Sequence, residues 1–262
     1  MITVENFIHS VVDAYLHFNR VDKYLDFPGA DPNDGRQLPK DRQGNASARF
    51  AKAPDFSAAD YYDQSRARTY ACCFSMENSD VIWKNYANGS EKGKVCIVFD
   101  FHKLRLRLNQ SLRAGNTTLE YNGNRCYQIF SINYGVIEYV EWDRHQANAV
   151  HLPNPIKYTY LKGKTFSDEK ELRVSLSALG MGQFALNNGS IMDFPANLQM
   201  TFNFREAIAD ETIKQILISP DCDSGFLYAE LHKLNIFASK GSDPPLQIEQ
   251  YQEESPPHTR AR

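Results

Sequence analysis

The sequence lacks several patterns that mark common classes of protein. Its five cysteines form no Cys-x-x-Cys pair and no Cys/His cluster with zinc spacing, and neither His-Glu-x-x-His nor Gly-x-Ser-x-Gly occurs. These absences argue against a zinc hydrolase and against Ser-His-Asp chemistry. They predict that most of the cysteines are buried thiols. The cysteines are Cys72, Cys73, Cys96, Cys126 and Cys222.

Net charge and long apolar runs are also scarce. Lysine and arginine number 29 against 32 aspartates and glutamates, so a formal net charge of −3 gives the whole molecule no attraction to nucleic acid or anionic membranes. The first residues lack a basic region followed by an apolar core, and no later run approaches the ~20 apolar residues of a membrane span. We therefore expect a cytoplasmic protein without a membrane partner.

Apolar residues are plentiful enough for a large core. The chain has 262 residues, of which 42% are hydrophobic and 12% aromatic. We predict one catalytic α+β domain over residues 1–240. A disordered tail is expected at 241–262, which carries two Pro-Pro pairs and many charges.

Hydrophobic periodicity predicts the elements of this domain. Apolar residues at helical spacing indicate a helix over 4–19, and the proline-, glycine- and charge-rich segment 26–47 indicates a long loop. A second helix begins after Asn78 or Ser79 and ends at Asn88-Gly89. A third helix is predicted over 226–234, and strands are predicted at 48–52, 70–75, 94–100, 104–108, 126–132, 135–142 and 212–220.

The charged stretch 165–174 is the strongest candidate for chemistry. Glu169 and Glu171 lie one residue apart at the start of an apparent strand, to which residues 157–161 lead. Because side chains alternate along a strand, Glu169, Glu171 and Arg173 are expected on one face. Two acids and a guanidinium there can polarise a hydroxyl and stabilise a developing cation. An exposed, salt-bridged strand end explains the same pattern.

A second charged pattern follows the strand at 94–100. Three leucines alternate with Lys103, Arg105 and Arg107, which predicts a half-buried strand with a basic outer face. Such a face can contact the phosphates of RNA or DNA. A solvated edge strand protected by charge is the alternative interpretation.

Four short signatures, in their order and spacing, resemble a bacterial family of unknown function over about residues 20–225. They are Lys23-Tyr24; Cys73-Phe74-Ser75 followed by Ile82-Trp83-Lys84-Asn85-Tyr86-Ala87 and Gly93; Lys164 before Glu169-x-Glu171-x-Arg173; and Ile213-Lys214-Gln215-Ile216 before Pro220. The chain departs from this family at residues 54–60, where an Asn-Asp-Pro-Phe-like turn is missing. We therefore assign to residues 54–60 no role that depends on that turn.

The same layout is similar to that of the ADP-ribosyltransferase superfamily. Those enzymes split NAD in a cleft between two small antiparallel sheets, using an early Arg or His, a middle strand with Ser or Tyr, and a late Glu. The resemblance implies an α+β fold of split antiparallel sheets with flanking helices. It also implies an NAD-dependent mono-ADP-ribosyltransferase that modifies a macromolecule, with RNA or DNA favoured over protein. The resemblance further implies a bacterial toxin or antiphage effector, for which an antitoxin protein is a candidate partner.

The resemblance gives each candidate residue a role. Glu171 would accept a hydrogen bond from the ribose 2′-hydroxyl and offset the charge of an oxocarbenium-like transition state, with Ser75 bracing its carboxylate. Glu169 would orient or deprotonate the acceptor. The remaining candidates for NAD binding are Lys23, Tyr24 and Arg49, which compete for the pyrophosphate, Phe74 on the middle strand, and Trp83 and Tyr86 against the nicotinamide.

Two other interpretations stay open. Pro54-Asp55 and Asp168-x-Lys170 resemble the acidic motif of restriction-type, metal-dependent nucleases, although their separation is too long for the usual hairpin. Magnesium-dependent cleavage of DNA would support that function. A non-catalytic interaction module on the same scaffold is the other alternative, because fold alone does not establish function.

Overall fold

The computed structural model describes residues 1–112, 119–146, 156–179, 183–236 and 246–252. These residues form a mixed α+β protein that divides into two compact units. The first unit comprises Met1–Tyr15, Asn78–Arg107 and Phe202–Arg262, and the second comprises Leu16–Glu77 and Leu108–Thr201. Both units combine separate segments of the chain, and the expectation of one domain stays a prediction.

The helices and strands are numbered in chain order. Helices α1 to α7 span Val4–Val12, Pro39–Ser47, Ala58–Arg66, Asp80–Asn85, Phe101–Ser111, Phe204–Ala209 and Ser224–Lys233. Strands β1 to β9 span Ile2–Thr3, Tyr15–Arg20, Arg49–Phe50, Ala53–Ser57, Thr69–Ser75, Lys94–Phe99, Leu119–Tyr121, Asn124–Arg125 and Phe130–Val136. Strands β10 to β17 span Glu138–Val140, Leu161–Gly163, Glu171–Ala178, Phe184–Ala185, Ile191–Met192, Asn197–Thr201, Ile213–Ile218 and Gln247–Gln250. Short 3-10 helices cover Val21–Asp26, Lys157–Tyr160 and Lys164–Glu169.

A four-stranded sheet in the order β1-β6-β16-β17 forms the centre of the first unit. Strand β6 is antiparallel to both of its neighbours, and β17 is parallel to β16. The expected disordered tail is therefore wrong for Gln247–Gln250. The physical reason is that Leu246 and Tyr251, at the two ends of β17, are both buried.

A seven-stranded sheet in the order β8-β7-β15-β2-β5-β12-β9 forms the centre of the second unit. Strand β12 is antiparallel to both β5 and β9. It is buried on both faces, with Val174 and Leu176 on one face and the polar Arg173 and Ser175 on the other. A strand with a polar buried face requires polar partners for the side chains on that face.

Several elements confirm the prediction from periodicity. The strands expected at 70–75, 94–100 and 212–220 are observed as β5, β6 and β16, and the helix at 226–234 is observed as α7. The strand at 48–52 is shorter, as β3, and the two strand candidates within 126–142 are observed as β9 and β10. None of the helices in the described ranges is both long and apolar enough to cross a membrane.

The helix predicted over 4–19 and the loop predicted over 26–47 are wrong in part. Helix α1 ends at Val12, and β2 follows after Ala14, whose φ of 51° is left-handed. Glycine is the usual residue at such a position, so the helix end carries no strong sequence signal. Helix α2 interrupts the expected loop and begins with Pro39 at its first position.

The basic strand predicted at 104–108 is a helix, α5. Leu104 and Leu108 are fully buried, whereas Leu106 between them is 46% exposed. Residues four apart lie on one face of a helix, and they also lie on one face of a strand. The positions of Leu104 and Leu108 therefore do not distinguish the two.

Candidate functional site

Five charged side chains of the second unit meet beside the start of β12, and we call them the β12 charge cluster. All five are nearly or fully buried, with Arg173 at 0%, Glu171 at 4% and Glu169 at 7% exposure. Buried charges are costly unless each has an opposite partner and hydrogen bonds. The members are Asp34, Lys162, Glu169, Glu171 and Arg173.

Arg173 is the centre of this cluster. Its Nη1 and Nη2 donate to the two carboxylate oxygens of Asp34 at 2.7 and 3.0 Å, and Nη1 also donates to the main-chain oxygen of Thr159 at 2.8 Å. Its Nε lies 2.7 Å, and its Nη2 2.6 Å, from Oε1 of Glu171. The guanidinium therefore binds two carboxylates and one main-chain oxygen, and Arg173 fixes the orientation of the Glu171 carboxylate.

Lys162, at the middle of β11, bridges the two glutamates. Its Nζ lies 2.5 Å from Oε2 of Glu169 and 3.1 Å from Oε2 of Glu171. Glu171 thus contacts two cations, and each of these cations also contacts a second carboxylate.

The main chain on either side of the glutamates is held by hydroxyl groups. The amide of Glu171 donates to Oη of Tyr139 at 2.8 Å, and the Ser75 hydroxyl lies 2.7 Å from the main-chain oxygen of Glu169 and 2.8 Å from that of Glu77. Between them, Lys170 adopts a left-handed conformation with φ of 46°. This turn makes Glu169 the end of a 3-10 helix instead of part of β12, yet its side chain still reaches the cluster through Lys162.

Two glycines make room for the cluster. Gly35 follows Asp34 with φ of 68°, and a Cβ there would collide with Val21. Gly135 pairs with Arg173 in the sheet, and a Cβ there would come within 2.7 Å of the Tyr160 ring. A side chain at Gly35 would displace Val21, and one at Gly135 would displace the Tyr160 ring.

Aromatic rings and a thiol lie around the charges. Cζ of Arg173 is 5.4 Å from the centroid of the Tyr24 ring, and Nζ of Lys162 is 5.2 Å from that of Phe166. Oη of Tyr24 is 3.2 Å from Sγ of Cys73, which pairs with Arg173 in the sheet. Cys73 keeps access to solvent.

The charges set the protonation states in the cluster. Burial alone would raise the pKa of Glu171, but the Arg173 and Lys162 cations outweigh burial and hold that pKa below its ordinary value of 4.5. Burial alone would lower the pKa of Lys162, but the Glu171, Asp34 and Glu169 carboxylates raise it. Desolvation by surrounding atoms, followed by the Glu171 charge, raises the pKa of the Cys73 thiol even though that side chain reaches solvent. At neutral pH Glu171 is therefore an ionised, fixed carboxylate.

The structure brings four of the predicted site residues together. Glu169, Glu171, Tyr24 and Ser75 all lie in or next to the β12 charge cluster. Ser75 pairs with Glu171 in the sheet, but its hydroxyl binds the main chain of Glu169 instead of the Glu171 carboxylate. Phe74 pairs with Leu172, one residue along, and so points to the opposite face of the sheet.

Two candidates for the early basic residue contact other acidic or main-chain groups. Nζ of Lys23 lies 3.6 Å from Oδ2 of Asp26, and Nη1 of Arg49 donates to the main-chain oxygen of Asp55 at 3.5 Å. Arg49 is exposed in β3. Their predicted role at a pyrophosphate stays a prediction.

Trp83 and Tyr86 belong to the first unit, whereas the glutamates belong to the second. The Trp83 ring stacks on Tyr251 with 4.5 Å between centroids, and its Nε1 donates to Oδ1 of Asn78 at 2.7 Å. Tyr86 directly follows helix α4 and is 38% exposed. The predicted contact of either ring with nicotinamide stays a prediction.

Basic residues of α5 pair with acidic residues in α6 and directly after it. Nζ of Lys103 lies 3.3 Å from Oε2 of Glu211, and Nη2 of Arg107 lies 2.5 Å from Oδ2 of Asp210. Arg107 also lies 3.4 Å from Glu206, and we call these three contacts the α5 ion pairs. Arg105 is exposed on the same helix. The expected basic strand is absent at these residues, and their binding to nucleic acid stays a prediction.

Sequence reasoning missed three residues of this site. Asp34 lies 139 positions from Arg173 in a segment predicted to be a loop, so no local pattern connects them. Lys162 and Tyr139 lie on β11 and β10, two short strands that pair in parallel. A lysine a few residues before the Glu-x-Glu pair is the one local signal that points to Lys162. Among the residues that the structure describes, no group of three or more His, Cys, Asp or Glu side chains is arranged to hold a metal ion.

Comparison with known families supports part of the resemblance. A family model described as a protein of unknown function (DUF2971) matches residues 82–174, a little over a third of the chain. The match includes Lys162, Glu169, Glu171 and Arg173, and it leaves Asp34 outside. It supports similarity to a family of unknown function over this range and assigns no activity. No curated protein and no solved structure matches the chain.

Proposed function

We propose that this chain is an NAD-dependent mono-ADP-ribosyltransferase that modifies a macromolecule, as a bacterial toxin or antiphage effector. The observation that carries the proposal is the Glu171 carboxylate, which Arg173 and Lys162 hold in place and keep ionised. The proposal includes an ADP-ribosyltransferase-like arrangement of split sheets. The presence of a separate sheet in each unit supports it.

A fixed carboxylate suits the chemistry of this reaction. The bond between nicotinamide and C1′ of the ribose breaks, and its electron pair leaves with the nicotinamide. The ribose then carries positive charge until an acceptor atom bonds to C1′ and loses its proton. A pre-oriented negative charge next to the ribose stabilises that transition state without reorganisation.

The cluster leaves one negative charge for this purpose. Three carboxylates, from Asp34, Glu169 and Glu171, share two cations, Lys162 and Arg173. Glu171 is the carboxylate that contacts both cations while each cation is also bound elsewhere. The cluster therefore keeps a net negative charge, and each cation divides its charge between Glu171 and a second carboxylate.

The acceptor in this proposal is a macromolecule, with nucleic acid tested first. The expected basic strand that favoured RNA or DNA is a helix whose Lys103 and Arg107 bind acidic groups. Protein acceptors are therefore tested in parallel, and a candidate antitoxin is a further partner to be sought among proteins that block the activity.

The test follows both products of the reaction. Purified protein is incubated with NAD labelled in its adenylate group and with RNA, DNA or mixed protein, and nicotinamide release and transferred label are measured. We expect Glu171→Gln to lower both by about 10²–10³-fold, the scale on which one pre-organised electrostatic contact acts. The matched control is Glu211→Gln, the same change on an exposed carboxylate, which should retain wild-type rates.

The proposal fails if wild-type protein releases no more nicotinamide and transfers no more label than Glu171→Gln on all three acceptor classes. Circular dichroism of each variant separates loss of activity from loss of fold.

One observation favours a second candidate, the non-catalytic interaction module. Both oxygens of Glu171 are already bound, and the side chain is almost fully buried, as expected for a structural cluster. In that case Glu171→Gln would lower stability and leave partner binding intact, and wild-type protein would not consume NAD.

A further inference from the structure

The position of Lys162 between the two glutamates is asymmetric. Its ammonium is 2.5 Å from Glu169 and 3.1 Å from Glu171, so the shorter contact is with the residue outside the strand. A charge-assisted contact strengthens as it shortens. Glu169 therefore holds Lys162 more closely than Glu171 does.

The two oxygens of Glu171 differ for the same reason. Oε1 is close to two guanidinium nitrogens of Arg173, at 2.6 and 2.7 Å. Oε2 has the longer contact with Lys162. Both cations are shared with a second carboxylate, but Oε2 is the oxygen with the longer contact to its cation.

We propose that Glu169 is a positioning residue, which holds the Lys162 ammonium closer to itself than to Glu171, so that Oε2 can accept a second hydrogen bond from the substrate ribose. This inference rests on the proposed function for its substrate. It assigns Glu169 a different role from activation of the acceptor. Without Glu169, Lys162 would form a close pair with Glu171 and neutralise the carboxylate.

The surroundings of Glu169 fit this role. Its side chain is 9% exposed and bound to Lys162, and its main-chain oxygen is fixed by Ser75. The Phe166 ring lies against the same ammonium, so Lys162 is held from two sides. A group that activates an acceptor must reach the acceptor proton, and a carboxylate tied to a buried lysine does so poorly.

The first experiment compares nicotinamide release without acceptor and label transfer with acceptor. We expect Glu169→Gln to lower both by the same factor, about 10²-fold, the scale on which misplacing a group near the reacting atoms acts. A general base would give a different result, because its loss lowers transfer by about 10²–10⁴-fold and leaves release without acceptor unchanged. That second pattern would overturn the proposal.

The second experiment needs no NAD and uses Cys73 as a reporter. The Glu171 charge contributes to the raised pKa of the Cys73 thiol, and the other groups facing it are Arg173 and Tyr24. Closer pairing of Lys162 with Glu171 would lower that pKa. The readout is the pH dependence of Cys73 alkylation by iodoacetamide, followed by mass spectrometry of the modified peptide with Cys222 as the reference thiol.

A double-mutant cycle shows whether Glu169 acts through Lys162. We expect Glu169→Gln to lower the alkylation pKa of Cys73 in the wild-type background and to have no effect in a Lys162→Met background. An equal shift in both backgrounds would mean that Glu169 acts directly, and the proposal would be wrong. If Lys162→Met does not fold, the first experiment tests the proposal alone, through the ratio of nicotinamide release to label transfer in Glu169→Gln.

The two experiments separate this inference from the proposed function. Absence of nicotinamide release by wild-type protein contradicts the transferase, whereas the thiol cycle still tests whether Glu169 controls the position of Lys162.

Discussion

The β12 charge cluster and the α5 ion pairs place arginines in opposite environments. Arg173 is fully buried and binds two buried carboxylates and one main-chain oxygen. Arg107 also binds two carboxylates, but its partners Asp210 and Glu206 are 48% and 66% exposed. The same residue type thus serves a fixed network in one place and a solvated surface in the other.

The difference decides what each group can do. Exposed pairs contribute little, because water and salt compete with them. A buried network contributes orientation and a set protonation state, at a cost of desolvation that only complete pairing offsets. The β12 charge cluster is therefore the part of the molecule in which a single substitution has the largest effect.

The largest effect is expected for Arg173→Met. This change removes the partner of Asp34 and Glu171 and leaves two buried carboxylates without their main cation. Breaking a buried ion pair costs about 3–5 kcal/mol. Urea unfolding followed by circular dichroism should show that loss, or show a protein that no longer folds. A loss below about 1 kcal/mol would mean that water reaches the cluster and that the comparison above is wrong.

A smaller effect is expected from titration of the cluster. Because the folded pKa of Glu171 lies below its ordinary 4.5, the ionised carboxylate contributes stability that is present above pH 4.5 and lost as the pH falls through the folded pKa. Glu171→Gln should therefore show a shallower loss of stability below pH 4.5 than wild-type protein. Urea midpoints measured from pH 6 to pH 2 test this, with Glu211→Gln as the control that keeps the wild-type slope.

The local sequence pattern predicts the strands that carry Glu171 and Arg173 better than it predicts the residues that pair with them. The alternation in β5 and β12 correctly places Glu171 and Arg173 on one face, since a strand fixes that relation between residues two apart. Glu169 was expected in the same strand, but β12 begins only at Glu171, after the left-handed Lys170. The left-handed φ of Lys170 has no signal in the sequence. It places Glu169 in a 3-10 helix instead of β12, but the Glu169 side chain stays in the cluster.

The partners of these residues depend on tertiary structure. Asp34 reaches Arg173 because Gly35 turns the chain where a side chain would collide with Val21. Lys162 reaches the glutamates because β11 pairs with β10. Neither relation has a periodic signature, so neither follows from a local pattern. The error at α5 has another origin, because Leu104 and Leu108, four residues apart, share one face in a helix as well as in a strand.

The smallest effect is expected for Arg107→Met, the same substitution at the surface. Its loss should be about 1 kcal/mol or less, because its acidic partners are solvated. It should also shrink further between 0.05 and 1 M NaCl, where the Debye length falls to about 3 Å. The loss for Arg173→Met should change little over that range, since salt does not reach a fully buried guanidinium. Unfolding midpoints of both variants at the two salt concentrations measure the contrast, and an equal salt dependence would place both arginines in the same kind of environment.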